Sequence, residues 1–166
     1  MVAWFDKIKP PRIALGSGKT KIPEGLWVKC DKCKEIIFKN ELEKNLKVCP
    51  KQGCNYHYRK TARERIDLLV EKFSFEELDQ NLVSSDPLKF RDSKKYKDRL
   101  KIYQKKTGQK DAIISGTGRI NKHTVQICVF DFFFMGGSMG SVIGEKITRA
   151  IKRAIEKRHP LLIVNC

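Results

Sequence analysis

The chain has 166 residues, 40% of them hydrophobic, with 35 basic against 19 acidic side chains and a net charge of +16. That is enough apolar material for one medium domain, or for a small module and a domain. No stretch approaches the length of a membrane span, and Met1-Val-Ala-Trp-Phe-Asp-Lys7 carries charge before an apolar segment can form, so neither membrane insertion nor a secretory leader is expected. The positive field suits nucleic acid, acidic lipid surfaces or anionic nucleotide-bearing cofactors, and charge alone does not choose among them.

Residues 1–26 carry Pro10, Pro11, Gly16, Gly18 and Pro23 among basic side chains and read as a loosely ordered arm. Within it, Gly16-Ser-Gly-Lys-Thr20 is not a phosphate-binding loop: Ile13 stands where that motif needs glycine, and Pro23 prevents the helix that should follow. Residues 27–58 form a metal module. Cys30-Asp-Lys-Cys33 and Cys49-Pro-Lys-Gln-Gly-Cys54 present two thiol pairs, and in a reducing compartment such clusters point to zinc rather than disulfides. Short strands are expected at residues 35–40 and 46–48. The second pair is wider than C-x-x-C, which leaves His57 as a competitor with Cys54 for the fourth ligand position.

Thr61-Ala-Arg-Glu64 predicts a capping box opening a helix with Ala62, Ile66, Leu69, Val70 and Phe73 on one face. Ser74-Phe-Glu-Glu77 repeats the pattern and predicts a second short helix. Ser93 is expected to cap a third, with Tyr96, Leu100 and Tyr103 inward and Thr107-Gly108 as its end. Residues 89–106 hold nine basic side chains against Asp92 and Asp98, which reads either as a solvated face or as a landing surface for a phosphate-rich partner.

Residues 112–120 predict a strand, turned back at Asn121-Lys-His123 into a second strand over 124–131. His123 is expected to be exposed, and Cys128 buried and inert. Phe132-Phe-Phe-Met-Gly-Gly-Ser-Met-Gly-Ser141 then leads into a helix with Val142, Ile143, Ile147, Ile151, Ala154 and Ile155 as its apolar stripe, stopped by Pro160 before a buried strand at 161–165. Gly136, Gly137 and Gly140 beside a helix N-terminus either admit an anionic ligand or only let the helix pack closely.

Taken together, these segments resemble the β subunit of bacterial and plastid acetyl-CoA carboxylase carboxyltransferase. The resemblance runs from Trp27 onward, through Trp27-Val-Lys-Cys30-Asp-Lys-Cys33, Asn45-Leu-Lys-Val-Cys49-Pro, Thr61-Ala-Arg-Glu-Arg-Ile66, Leu88-Lys-Phe-Arg-Asp-Ser-Lys-Lys-Tyr96, Thr107-Gly-Gln-Lys-Asp-Ala112 and Asp131-Phe-Phe-Phe-Met-Gly-Gly-Ser-Met-Gly-Ser141; Trp4-Phe5 also looks like the family's beginning. It implies an α/β fold: a four-cysteine zinc ribbon before a crotonase-like ββα spiral over residues 59–166, incomplete here. It implies one structural zinc per chain on Cys30, Cys33, Cys49 and Cys54, and a substrate-binding role for Gly136, Gly137 and Ser138.

The implied reaction moves a carboxyl group from carboxybiotin, held on the biotin carboxyl carrier protein, to acetyl-CoA. The product, malonyl-CoA, serves fatty-acid synthesis. The implied assembly is an α2β2 pairing with the α subunit, in the cytoplasm or plastid stroma, with ATP used by the separate biotin carboxylase. The chain departs from the family in two places. The family's Cys-Pro-x-Cys is longer by two residues here, and family members continue past the 161–165 strand into a Ser-Gly-Gly-Ala-Arg-Met-Gln-Glu oxyanion-hole segment. A chain ending at Cys166 is therefore expected to be a fragment without turnover of its own. The alternative reading is a zinc-ribbon module that binds nucleic acid.

Overall fold

The computed structural model describes residues 25–166; the proposed arm, with its Gly16–Thr20 segment, falls outside them except for its last two residues. The chain divides into two compact units between Tyr56 and His57. In the first, strand β1 (Trp27–Lys29) pairs antiparallel with β2 (Ile36–Phe38), and a short helix α1 (Lys39–Lys44) follows. Trp27 and Phe38 stand opposite each other with ring centroids 5.3 Å apart. The strand expected at 46–48 is a turn instead: Leu46 and Lys47 both sit at positive φ, where an extended ladder cannot continue. Among the described residues of this unit only Ile37 and Leu42 are buried besides three cysteines, too little apolar surface to hold them together by itself.

The second unit is built on a four-stranded sheet ordered β3-β4-β5-β6. Its centre is the hairpin of β4 (Ile113–Ile120) and β5 (His123–Phe130), joined by Asn121 and Lys122. Both turn residues have positive φ, the geometry that matches the natural strand twist in a two-residue hairpin. Alternation then sends successive side chains to opposite faces. Ile114, Ile127 and Val129 pack with Ala62 and Ile66 of helix α2 (Ala62–Leu69). Ile113, Cys128 and Phe130 pack on the other face with Leu100 of α3 (Tyr96–Thr107) and with Ile143 and Ala150 of α4 (Ser141–Lys157). Strand β6 (Leu161–Val164) returns from α4 to pair parallel with β5, completing a strand–helix–strand crossover.

Several expectations hold. Thr61 caps α2 through the reciprocal Thr61–Glu64 box, Gly108 ends α3 in the left-handed conformation, and His123 is exposed. Others do not. The predicted helix at residues 74–77 is strand β3 (Glu76–Leu78), paired antiparallel to β4. The Ser74 hydroxyl donates to Glu71 O and accepts from Arg119 N, so it ties two segments together instead of capping a helix. Phe73, assigned to the α2 apolar face, lies beyond the helix end with φ 61° and is fully exposed. Ser93 does not cap α3; Lys95 occupies that position without a side-chain bond.

The apolar stripe of α4 holds at Val142, Ile143, Ile147 and Ala154 and departs in part. Ile151 and Ile155 are exposed, while Lys146 and Ala150 face the sheet. The small alanines let the helix lie close, and Lys146 survives burial because its Nζ donates to Ile113 O at 3.0 Å. Burial pushes that ammonium below the ordinary lysine range, against the opposing pull of Glu77 and Asp111. The terminal strand is half-buried, not buried.

Two predictions follow from the sheet. At Gly116 an added Cβ would lie 2.3 Å from Glu76 O and 2.7 Å from the Phe75 ring, so Gly116→Ala must push β3 off β4. We expect a loss of about 2–3 kcal/mol in urea unfolding, as for overpacked cores. Asp79 accepts from Arg149 and Arg153 of α4 at 3.0 and 2.8 Å. Burial alone would raise its carboxyl; the bonds and charge of Arg153 and Arg149 outweigh that and hold it below the ordinary range. A lowered carboxyl contributes stability above its unfolded value of about 3.9 and loses it as pH falls further. Asp79→Asn is expected to be less stable at pH 7 and to show a shallower fall in urea midpoint below about pH 4.

Candidate metal centre and glycine turn

In the first unit, two tight turns bring four sulfurs together. After Cys30, Lys34 takes a positive φ, and its N–H donates to Cys30 O while Cys30 N–H donates to Glu35 O. That closes the first knuckle. The second absorbs its two extra residues in a turn: Gly53 has φ 74°, Cys54 N–H donates to Lys51 O, and Cys49 N–H donates to Tyr56 O. Lys32 Nζ then donates to Cys54 O at 2.8 Å, locking one knuckle to the other.

The Sγ atoms of Cys30, Cys33, Cys49 and Cys54 all lie within 4.8 Å of one another. Cys30 and Cys54 are 3.7 Å apart, Cys33 and Cys49 3.8 Å. A tetrahedron with metal–sulfur bonds of about 2.3 Å has edges of about 3.8 Å. A disulfide would need about 2.05 Å. The donor set therefore fits one tetrahedral zinc, with no position left for water. The electrostatics agree. Burial and crowding by the other thiols push Cys49 up to about 12. For Cys33 the Glu35 backbone N–H pulls downward, but burial and the neighbouring thiols win, and it too is raised. Without a cation these sulfurs favour the neutral thiol; a zinc ion at their centre would hold them as thiolates.

In the second unit, Asp131 directly follows β5, and the chain turns through a single 3₁₀ turn (Met135–Gly137) before α4. Gly136 and Gly137 have φ near 72°, a region where a side chain is strained. A Cβ on Gly137 would also meet Cys166 Sγ at 2.4 Å. Gly137 N–H donates to Phe134 O and Ser138 N–H to Met135 O, so these two candidate donors are engaged inside the turn. The turn has an anchor that the sequence reading missed. Asp131 is buried, and its carboxylate accepts from Ala62 N, Gln109 Nε2 and Phe133 N. The Phe133 N–H, two residues on, is its one local partner; the other two lie 69 and 22 residues away and leave no trace in the neighbouring sequence. Phe133 and Asp131 also line a cavity of about 320 Å³ with Thr61, Arg63, Lys106 and Gln109.

Cys128 is buried within β5, and burial pushes its thiol up to about 11, away from nucleophilic use. The lysines of residues 89–106 sit largely on exposed positions, where Arg99 is paired with Asp92. Among the described residues no helix is long and apolar enough to cross a membrane.

Residues 27–51 match the acetyl-CoA carboxylase zinc finger domain, and residues 56–166 match the carboxyl transferase domain. The chain is 53% identical, over 99% of its length, to the acetyl-coenzyme A carboxylase carboxyl transferase subunit beta of Citrifermentans bemidjiense, and spans 57% of that relative. Among solved structures it is similar to a transcarboxylase 12S crystallised with hydrolysed methylmalonyl-coenzyme A. That match has 25% identity and a TM-score of 0.50, over 76% of this chain and 20% of the other. A single-chain, multi-domain long-chain acyl-CoA carboxylase shares the fold at 22% identity and a TM-score of 0.50, over 63% of this chain and 11% of its own.

The metal centre is tested by elemental analysis of purified protein. About one zinc per chain is expected, lost in Cys54→Ser and kept in His57→Ala. Zinc lost only in the histidine variant would overturn the four-sulfur assignment.

Proposed function

Since the chain belongs to the carboxyl transferase family, we propose that it supplies β-subunit machinery of an acetyl-CoA carboxylase carboxyltransferase, moving a carboxyl group from carboxybiotin to acetyl-CoA to give malonyl-CoA for fatty-acid synthesis. The observation that carries this reading is one chain joining the acetyl-CoA carboxylase type of zinc ribbon to a carboxyl transferase domain, at 53% identity to a β subunit. In the reaction the methyl carbon of acetyl-CoA gives up a proton and forms a carbon–carbon bond to the carboxyl group, while the broken carbon–nitrogen bond leaves its electron pair on the biotin nitrogen, which takes up a proton. Negative charge develops on oxygen at both centres, and oriented backbone N–H groups stabilise such charge without a titrating side chain.

In this reading Gly136, Gly137 and Ser138 shape the wall of the acyl-CoA or biotin pocket. The glycines remove side chains where the ligand must approach, and α4 begins three residues beyond Ser138 with its positive dipole end. Residues 89–106 face the CoA nucleotide or the α subunit. Zinc on Cys30, Cys33, Cys49 and Cys54 supplies folding free energy to a unit with little core, not chemistry. The partners are the α subunit, in an α2β2 assembly, and the biotin carboxyl carrier protein. ATP is consumed by the biotin carboxylase component, and the setting is cytoplasm or plastid stroma.

A second reading rests on charge: the first 60 residues carry half of the +16 in little more than a third of the chain. It makes the ribbon a nucleic-acid contact, with affinity falling steeply as salt rises.

The test is malonyl-CoA formation by an α subunit assembled with a β chain that carries these residues and spans the whole length of the curated relative, of which this chain covers 57%, given carboxylated biotin and acetyl-CoA. Turnover that needs both subunits is expected. No product from a folded, zinc-loaded assembly would exclude the carboxyltransferase reading.

A further inference from the structure

We propose that Asp131 is a positioning residue for the carboxyl transfer, holding the glycine turn in register against the N-terminus of α2. The inference rests on the function proposed above. The side chain is 1% exposed, yet it is bonded by distant parts of the chain. Its Oδ2 accepts from Ala62 N at 3.1 Å and from Gln109 Nε2 at 2.8 Å, and its Oδ1 accepts from Phe133 N at 2.8 Å. Its backbone closes the same structure: Asp131 N–H donates to Ala112 O, and Phe134 N–H donates to Asp131 O. Gly137 N–H in turn donates to Phe134 O, so the chain of bonds runs from the carboxylate to the glycines in consecutive steps.

All three side-chain bonds are accepted and none is donated, so an amide in the same place must aim its NH2 at another donor. One side chain also fixes two walls of the neighbouring cavity. It orients Phe133 through the turn, and it takes the Gln109 Nε2, which leaves Gln109 Oε1 buried without a partner among the described residues. Loss of the carboxylate therefore displaces the turn while leaving the sheet and both cores in place. A shift of about 1 Å at a remote support is enough to cost about 100-fold in turnover when it moves groups that orient a substrate.

The test compares three variants in the assembled α–β carboxyltransferase: Asp131→Asn, Asp131→Glu and Gly116→Ala. Gly116→Ala crowds β4 against Glu76 and Phe75 away from the cavity, and so serves as a control for simple loss of stability. Asp131→Asn is expected to lower kcat about 10- to 100-fold with the KM for carboxylated biotin changed less than about threefold, while Asp131→Glu keeps most of the rate. Gly116→Ala is expected to lower the Tm at least as much with near wild-type kcat. If Asp131→Asn and Gly116→Ala lose rate only in proportion to Tm, the positioning role is overturned and Asp131 is structural. If the wild-type assembly itself forms no malonyl-CoA, it is the proposed function that fails.

Discussion

A two-stranded hairpin covered on both faces is the constraint on which the second unit depends. Because successive residues of β4 and β5 point to opposite sides, the run Ile113-Ile114 and the run Ile127-Cys128-Val129-Phe130 each feed two cores at once. Neither α2 nor the α3–α4 layer is dispensable, since removing one exposes half of every strand. The same demand explains the glycines of Ser115-Gly-Thr-Gly118. Gly116 and Gly118 give up side chains so that Phe75 and Val70 can lie directly on the strand.

That sheet delivers the glycine turn. β5 ends at a buried carboxylate, the turn hangs from it, and α4 then carries the chain back across the sheet to β6. The crossover is held at its far side by Asp79, which lies just after β3 and receives both Arg149 and Arg153 of α4. Charge thus clamps the helix at one edge while alanines settle it against the centre. The site candidates sit where a strand gives way to a helix N-terminus, a place where backbone donors collect.

The first unit follows a different logic. Its buried side chains are chiefly sulfurs, so its fold is written in ligand geometry more than in apolar area. Two turns of unequal length converge on one tetrahedron because glycine and left-handed residues take up the excess. Cooperative order in such a unit comes with metal occupancy.

Some of this was legible in the residues alone. The thiol pairs, the Thr61 capping box, the Gly108 stop, the hairpin and the helix before Pro160 are all signalled within a few positions, because their causes are local: ligand spacing, hydrogen bonds between near neighbours, and alternation. The features that escaped are those whose partners lie far off in the chain. β3 looks like a capped helix until its backbone meets β4, which outweighs the weak strand preference of Glu76 and Glu77. Lys146 is buried because a carbonyl of β4 accepts it, and Ile151 and Ile155 read as core until smaller residues bring α4 down on another side. Asp131 escaped because two of its three donors, Ala62 N and Gln109 Nε2, lie far off in the chain and only the Phe133 N–H is local. Local stereochemistry set most of the elements and which sulfurs can meet a metal; long-range packing decided that residues 76–78 are a strand, which faces are buried, and where the buried charges find their partners.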